Sequence, residues 1–340
     1  MRELVIVIAD LYLPPAAAAA PEPQVELAHL PGIENAGRFG THAALTDWRA
    51  WLAPRLGRPD LAGVAFARVA AAAADAGAAA DTLWLASPVH LSAGLTRVHL
   101  DQRGLLRLRG EEQLVLAGEF RRTFGGEDLA LVPLRSGEFL LCTPGLAALP
   151  AAEPARSAGS TISAPLPQGA AAAPLRRLLA EIEMWLHGLP LNEARRRAGA
   201  LPVTSLWLWG AAGAGLPPVG AVAAAFAAFG TDAWLAGLAQ LCGRKLAPPP
   251  ADFGALLHTD AQIGVVVAEV CGVLERQVSM SVAEALSVVD SGVVLPALAA
   301  LRSGALARTT LVVNDRCATV TRGSRLRLWR RRRAGLAGFA

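Results

Sequence analysis

Four places in the sequence combine side chains that could bind or activate a ligand. Asn192 lies beside Arg195 and Arg196. Guanidinium forks match carboxylate or phosphate oxygens, and the amide can orient a hydroxyl. The competing reading is a solvated turn whose arginines cap the preceding helix or pair with Glu181, Glu183 and Glu193. Asp10 follows the apolar run at residues 4–8 and so stands at the carboxyl end of a buried strand, where open α/β sheets handle ligands. It reads equally as a metal or phosphate-site ligand and as an acid satisfied by loop amides. His90 follows Pro88 at a strand edge with no Cys, Asp or Glu cluster nearby, so a hydrogen-bonded structural histidine competes with a ligand contact. Thr46-Asp47 precedes an amphipathic run and suits a helix N-cap, because either side-chain oxygen can accept amide hydrogens.

The elements that must position these groups follow from hydrophobic patterning. Residues 4–8, Leu-Val-Ile-Val-Ile, are β-branched without alternation, the mark of a strand buried on both faces of a parallel sheet. Helices are predicted at 30–39, at 47–56 with Trp48, Trp51 and Leu52 as an apolar stripe, and at 61–80, rich in alanine. From residue 82 the pattern becomes short strands at 82–85, 96–100, 105–108, 129–133 and 138–141, with a helix over 110–124. An Ala, Pro, Ser and Gly-rich linker fills 145–174. Beyond it come an amphipathic helix at 175–187, a strand at 205–209, helices at 219–229 and 231–242 with Thr231 as N-cap, and strands at 264–270 and 309–313 around a helix at 282–301. The expected fold is therefore α/β, a mainly parallel core formed by 1–81 and 175–340 and interrupted by an inserted α+β subdomain with its linker at 82–174.

Composition narrows the function classes. The chain has 340 residues, 53% hydrophobic and 18% charged, which excludes a disordered or fibrous protein. Its net charge of +4 owes much to Arg325, Arg327 and the run 330–333, so nucleic acid is not an expected partner. The terminal run reads as a solvated helix. Four scattered cysteines imply reduced thiols and a cytoplasmic protein. The uncharged stretch 201–231 is broken by Gly210, Gly213, Gly215, Pro217 and Pro218, so no membrane span is expected. Those glycines lack the spacing and the Lys-Ser/Thr of a phosphate loop.

Three segments carry a resemblance. Leu189-Pro-Leu-Asn192, Arg195-Arg196, Gly199 and Pro202, followed by Trp207-Leu-Trp209-Gly210, resemble a stretch of the archaeal-type cofactor-independent phosphoglycerate mutases. Ser87-Pro-Val-His90-Leu91 and Trp48-Arg-Ala-Trp51-Leu52 are similar to segments of their bacterial relatives, some labelled RpfE-type regulatory proteins. The resemblance implies an alkaline-phosphatase-like core. In active members a serine or threonine attacks phosphate between two divalent metals, Mn, Zn or Mg, held by Asp and His residues, because paired cations neutralise the attacking and leaving oxygens. On this alignment Asp10 and Asp315 fall at metal-ligand positions and Thr46 at the nucleophile position.

The sequence departs from that pattern at several ligands. Arg316 stands where the family has a histidine, Glu269, Cys271 and Gly272 replace an Asp/His cluster, and His258 is the one histidine after residue 205. The expectation is a phosphoglycerate mutase-like protein with a degenerate two-metal site and no metal cofactor, a regulatory pseudoenzyme. Its expected partners are a small anionic or phosphorylated ligand, bound through Asn192, Arg195, Arg196 and His90, or another protein. The alternative is an active metal-dependent mutase or phosphatase.

Overall fold

The computed structural model describes residues 1–12, 30–74, 82–94, 98–125, 129–146, 148–162, 169, 172–213, 217–220, 225–249, 252–313 and 315–326. Strand β1 (Glu3–Ile8) is buried from Leu4 onward. Leu4, Ile6 and Ile8 enter one apolar layer and Val5 and Val7 another, which is why its sequence does not alternate. Next come α1 (Pro31–Phe39), β2 (Thr41–Ala44), α2 (Trp48–Arg55) and α3 (Phe66–Ala71). The middle of the chain forms β3 (Thr82–Val89), β4 (Ser92–Ala93), β5 (Val98–Leu100), α4 (Gly110–Phe124), β6 (Ala130–Pro133), β7 (Phe139–Thr143), α5 (Pro154–Ser157) and β8 (Ser160–Ile162). Then follow α6 (Ala173–His187), α7 (Pro190–Arg197), β9 (Ser205–Ala212), β10 (Phe226–Phe229), α8 (Ala233–Leu241), β11 (Leu246–Ala247) and α9 (Phe253–Leu257). The last elements are β12 (Ile263–Ala268), α10 (Val270–Arg276), α11 (Val282–Val289), α12 (Leu295–Ser303), β13 (Arg308–Val313) and β14 (Arg316–Thr321).

The central sheet has seven strands in the order β11-β10-β12-β1-β13-β14-β2. β11, β10, β12, β1 and β13 are mutually parallel, and β14 runs antiparallel to both neighbours. Val5 sits opposite Val265 on one side and Thr310 on the other, so β1 is central. One face packs on α1, α10, α11 and α12, and the other on α2 and α8 through the edge-to-face pair Trp48 and Trp234 at 5.5 Å. The inserted part builds an antiparallel sheet β6-β7-β3-β9 and a small sheet β4-β5-β8. This is the α/β arrangement with a mostly parallel core sheet and an intervening α+β unit.

Several elements differ from the sequence expectation. Residues 226–229, read as the end of a helix, form β10, because their pairing with β12 overrides the helix propensity of alanine. Asp232 rather than Thr231 caps α8, its side chain accepting the Leu235 N–H at 2.7 Å. Residues 105–108 make an isolated bridge and loop hydrogen bonds instead of a strand. The helix expected over 61–80 is shortened to α3, with residues 75–81 outside the described residues. Two elements lie inside the expected linker, α5 and β8. β9 pairs with β3, so the second sheet draws on the chain beyond residue 174. The terminal arginines at 327 and 330–333 fall outside the described residues.

Among the described residues, one helix, Val282–Ser303, is long and apolar enough to cross a membrane. In this fold it packs on the core sheet, and its buried Asp290 accepts the Gly32 and Ile33 N–H groups at 3.0 and 2.7 Å, capping α1 from across the chain.

Candidate functional site

Parallel strands deliver their following residues to one edge of the sheet. Asp10 follows β1, Thr231 and Asp232 follow β10, Glu269 follows β12 and Asp315 follows β13. β2 adds Thr46 and Asp47, held there by the Leu45 N–H, which donates to the Asp315 carbonyl at 2.6 Å. The inserted unit faces this edge with Arg107, Glu138, Glu153 and Arg156.

Arginines organise the acids. Arg49, its side chain 3% exposed, grips Glu153 in a two-point pair, Nη1 to Oε2 at 3.1 Å and Nη2 to Oε1 at 2.7 Å. The same guanidinium lies 3.7 Å from Asp232 and 3.8 Å from Asp47 and stacks over Trp48 and Phe66. Arg107 reaches Glu269 at 3.1 Å and Glu138 at 3.3 Å. Thr231 donates to the other Glu269 oxygen at 2.8 Å, and Ser87 donates to Glu138 at 2.6 Å. Arg156 donates to both oxygens of Asp315, lies 3.5 Å from Asp47, and covers the Tyr12 ring.

Six carboxylates thus share three guanidinium groups. The surplus of negative charge has a consequence for Asp232: burial, only partly offset by Arg49, pushes its carboxyl up to about 7. Burial alone would depress Arg49, but Glu153 and Asp232 hold it well above its ordinary value. Burial and the nearby Glu153 carboxylate raise the Tyr12 hydroxyl, and burial raises the Cys271 thiol.

Asp10 is 3% exposed, and its carboxylate accepts the Val270 N–H at 2.8 Å and the Cys271 N–H at 2.7 Å. It therefore satisfies the first turn of α10. Thr46 is exposed in the β2–α2 turn, and the cap of α2 is Asp47, which accepts the Arg49 N–H at 2.7 Å. Asp10 and Asp315 come to the same sheet edge, and Asp47, next to Thr46, shares Arg156 with Asp315.

A pair of divalent cations needs several carboxylates and imidazoles turned onto common points. The donor set does not fit one, because its carboxylates are turned onto N–H and O–H groups instead. Both oxygens of Asp10 accept backbone N–H groups, both of Asp315 accept from Arg156, both of Glu153 accept from Arg49, and Glu269 is divided between Arg107 and Thr231. No three His, Cys, Asp or Glu side chains among the described residues are grouped to hold an ion.

The second expected site lies elsewhere. Asn192, 2% exposed, donates to the Leu186 and Val203 carbonyls at 2.7 and 2.8 Å and accepts the Val203 N–H at 2.8 Å. Arg195, 3% exposed, donates to Leu201 O, Glu112 and Glu275. Both buried side chains fasten α7 to the segment that leads into β9, and Arg195 also ties it to α4 and α10. Arg196 is exposed and pairs with Glu193. His90 Nδ1 lies 2.9 Å from the Pro202 carbonyl and lines a cleft between the inserted unit and α10.

Sequence reasoning missed Arg49, Arg107, Glu138, Glu153, Arg156 and Asp232 as site residues. Glu269 lies at the end of the expected 264–270 strand, whereas Asp232 follows a segment whose alanines read as helix, so its place at the sheet edge leaves no local signal. Arg107, Glu138, Glu153 and Arg156 lie in stretches whose pattern says nothing about the core edge.

No protein-family model matches the chain, and no curated protein matches its sequence. Among solved structures, the chain is similar to a cofactor-independent phosphoglycerate mutase from Thermoplasma acidophilum DSM 1728, at 14% identity and TM-score 0.37, over 95% of this chain and 90% of that one. It is also similar to the PH0037 protein from Pyrococcus horikoshii, at 13% identity and TM-score 0.47, over 94% of this chain and 87% of that one.

Proposed function

We propose that the chain is a non-catalytic relative of the cofactor-independent phosphoglycerate mutases, a regulatory or ligand-binding protein in which guanidinium groups neutralise the acids that metal ions would otherwise hold. The observation that carries this reading is the pairing of six sheet-edge carboxylates with Arg49, Arg107 and Arg156, while Asp10 is taken up by backbone N–H groups. A guanidinium satisfies carboxylates as a cation does, but it offers neither an open coordination position nor a Lewis acid for a phosphoryl oxygen. We place the protein in the cytoplasm, in keeping with four buried, unpaired thiols.

The test is an assay of the purified full chain with phosphoglycerate and an aryl phosphate in Mn²⁺, Zn²⁺ and Mg²⁺. The expected result is turnover no greater than the metal salts give alone. Turnover abolished by both Thr46→Ala and Asp10→Asn would overturn the proposal and establish the metal-dependent enzyme instead.

A further inference from the structure

The cleft beside His90 is separate in its chemistry from the arginine network. It has a volume of about 500 Å³, within the size range of small-molecule sites, and lies between the inserted unit and α10. Leu105, Leu106, Leu201 and Leu274 supply apolar walls, and His90, Asp101, Arg103 and Glu275 supply its ionisable groups.

Those polar groups are unevenly matched. Because a carbonyl can only accept, the His90 Nδ1 at 2.9 Å from Pro202 O carries the hydrogen, and in that tautomer Nε2 is an acceptor. Glu275 spends Oε1 on Arg195, which also serves Glu112, so two carboxylates divide one guanidinium and Oε2 retains acceptor capacity. The Asp101 carboxylate does not cap the turn it precedes. Arg103 is the one cationic side chain lining the cleft among the described residues, and it donates to the Val278 carbonyl. The cleft therefore offers three acceptor groups, two of them anionic, beside a single guanidinium and an apolar wall.

We propose that this cleft binds a small molecule bearing a primary ammonium group on a short apolar body, with Asp101, Glu275 and His90 Nε2 receiving the ammonium hydrogens. A carboxylate on the same molecule would engage Arg103, so the two sources of this chemistry are a free apolar amino acid and the corresponding simple amine. The proposal goes beyond the reading of the sheet edge: metal titration and phosphatase assays report on that edge, whereas amine binding reports on the cleft.

Calorimetric titration of the full chain with leucine, its decarboxylated analogue isoamylamine and its deaminated analogue isocaproate tests it. Saturable binding of leucine or isoamylamine, weakened about tenfold or more in Asp101→Asn with an unchanged unfolding midpoint, supports the site. A preference for leucine over isoamylamine that disappears in Arg103→Ala identifies an amino acid, and equal binding identifies a simple amine; either result supports the ammonium site. No saturable heat from either amine up to about 10 mM, isocaproate binding as tightly as leucine, or amine binding indifferent to Asp101→Asn would overturn it.

Discussion

Arg49 and Glu153, on α2 and on the turn leading into α5, form a two-point ion pair with side chains only 3% and 9% exposed. It ties the inserted part of the chain to the carboxyl edge of the core sheet. Breaking such a pair from one side leaves a buried charge without its partner, which costs about 3–5 kcal/mol. Arg49→Met should therefore lower the free energy of urea unfolding by about that amount, and Arg49→Met with Glu153→Leu should recover part of the loss. A single variant as stable as the parent would contradict the pairing.

Asp232 supplies a pH signature. Its carboxyl is raised to about 7 in the folded protein, so its contribution favours the fold most at low pH and declines as pH rises from about 4 through about 7. Asp232→Asn keeps an oxygen for the α8 cap but cannot ionise. Its stability relative to the parent should rise across that window, by up to about 1.4 kcal/mol per pH unit. A difference that stays flat with pH in urea unfolding would contradict the buried, raised acid.

Asn192 fastens the end of α6 to the segment leading into β9. Asn192→Ala strands the Leu186 and Val203 backbone groups it now satisfies and should cost about 2–4 kcal/mol in urea unfolding. Stability within about 0.5 kcal/mol of the parent would place the amide outside the fold's hydrogen-bonding network.

Glycines give a paired test of packing. A Cβ on Gly237 would stand 1.7 Å from the Val69 carbonyl oxygen, where α8 crosses α3, so Gly237→Ala should cost about 3 kcal/mol or more. Gly118, exposed in α4 with nothing within 4 Å of such a carbon, should instead gain about 0.5–1 kcal/mol as alanine. Equal effects at the two positions in thermal unfolding would contradict the α3–α8 contact.

What could be read from sequence follows from burial. β1, β12 and β13 are covered on both faces and so appear as unbroken Val, Ile and Leu runs, which also placed Asp10 and Asp315 at the sheet's carboxyl edge. β2 is exposed throughout and gives no hydrophobic pattern, and β10 is half alanine and was read as helix. The site's cations were hidden for a different reason. Arg49 meets Glu153 across 104 positions of chain, and Arg156 meets Asp315 across 159, so no local spacing announces either pair. Periodicity reports which face of an element is covered, but not which distant charge covers it.

The central claim is that guanidinium groups hold the acids at the sheet edge in place of metal ions. Calorimetric titration of the chelator-treated full chain with Mn²⁺, Zn²⁺ and Mg²⁺ measures this directly. No saturable metal binding up to about 1 mM is the predicted result. Binding of two ions per chain, abolished in both Asp10→Asn and Asp315→Asn, would contradict it.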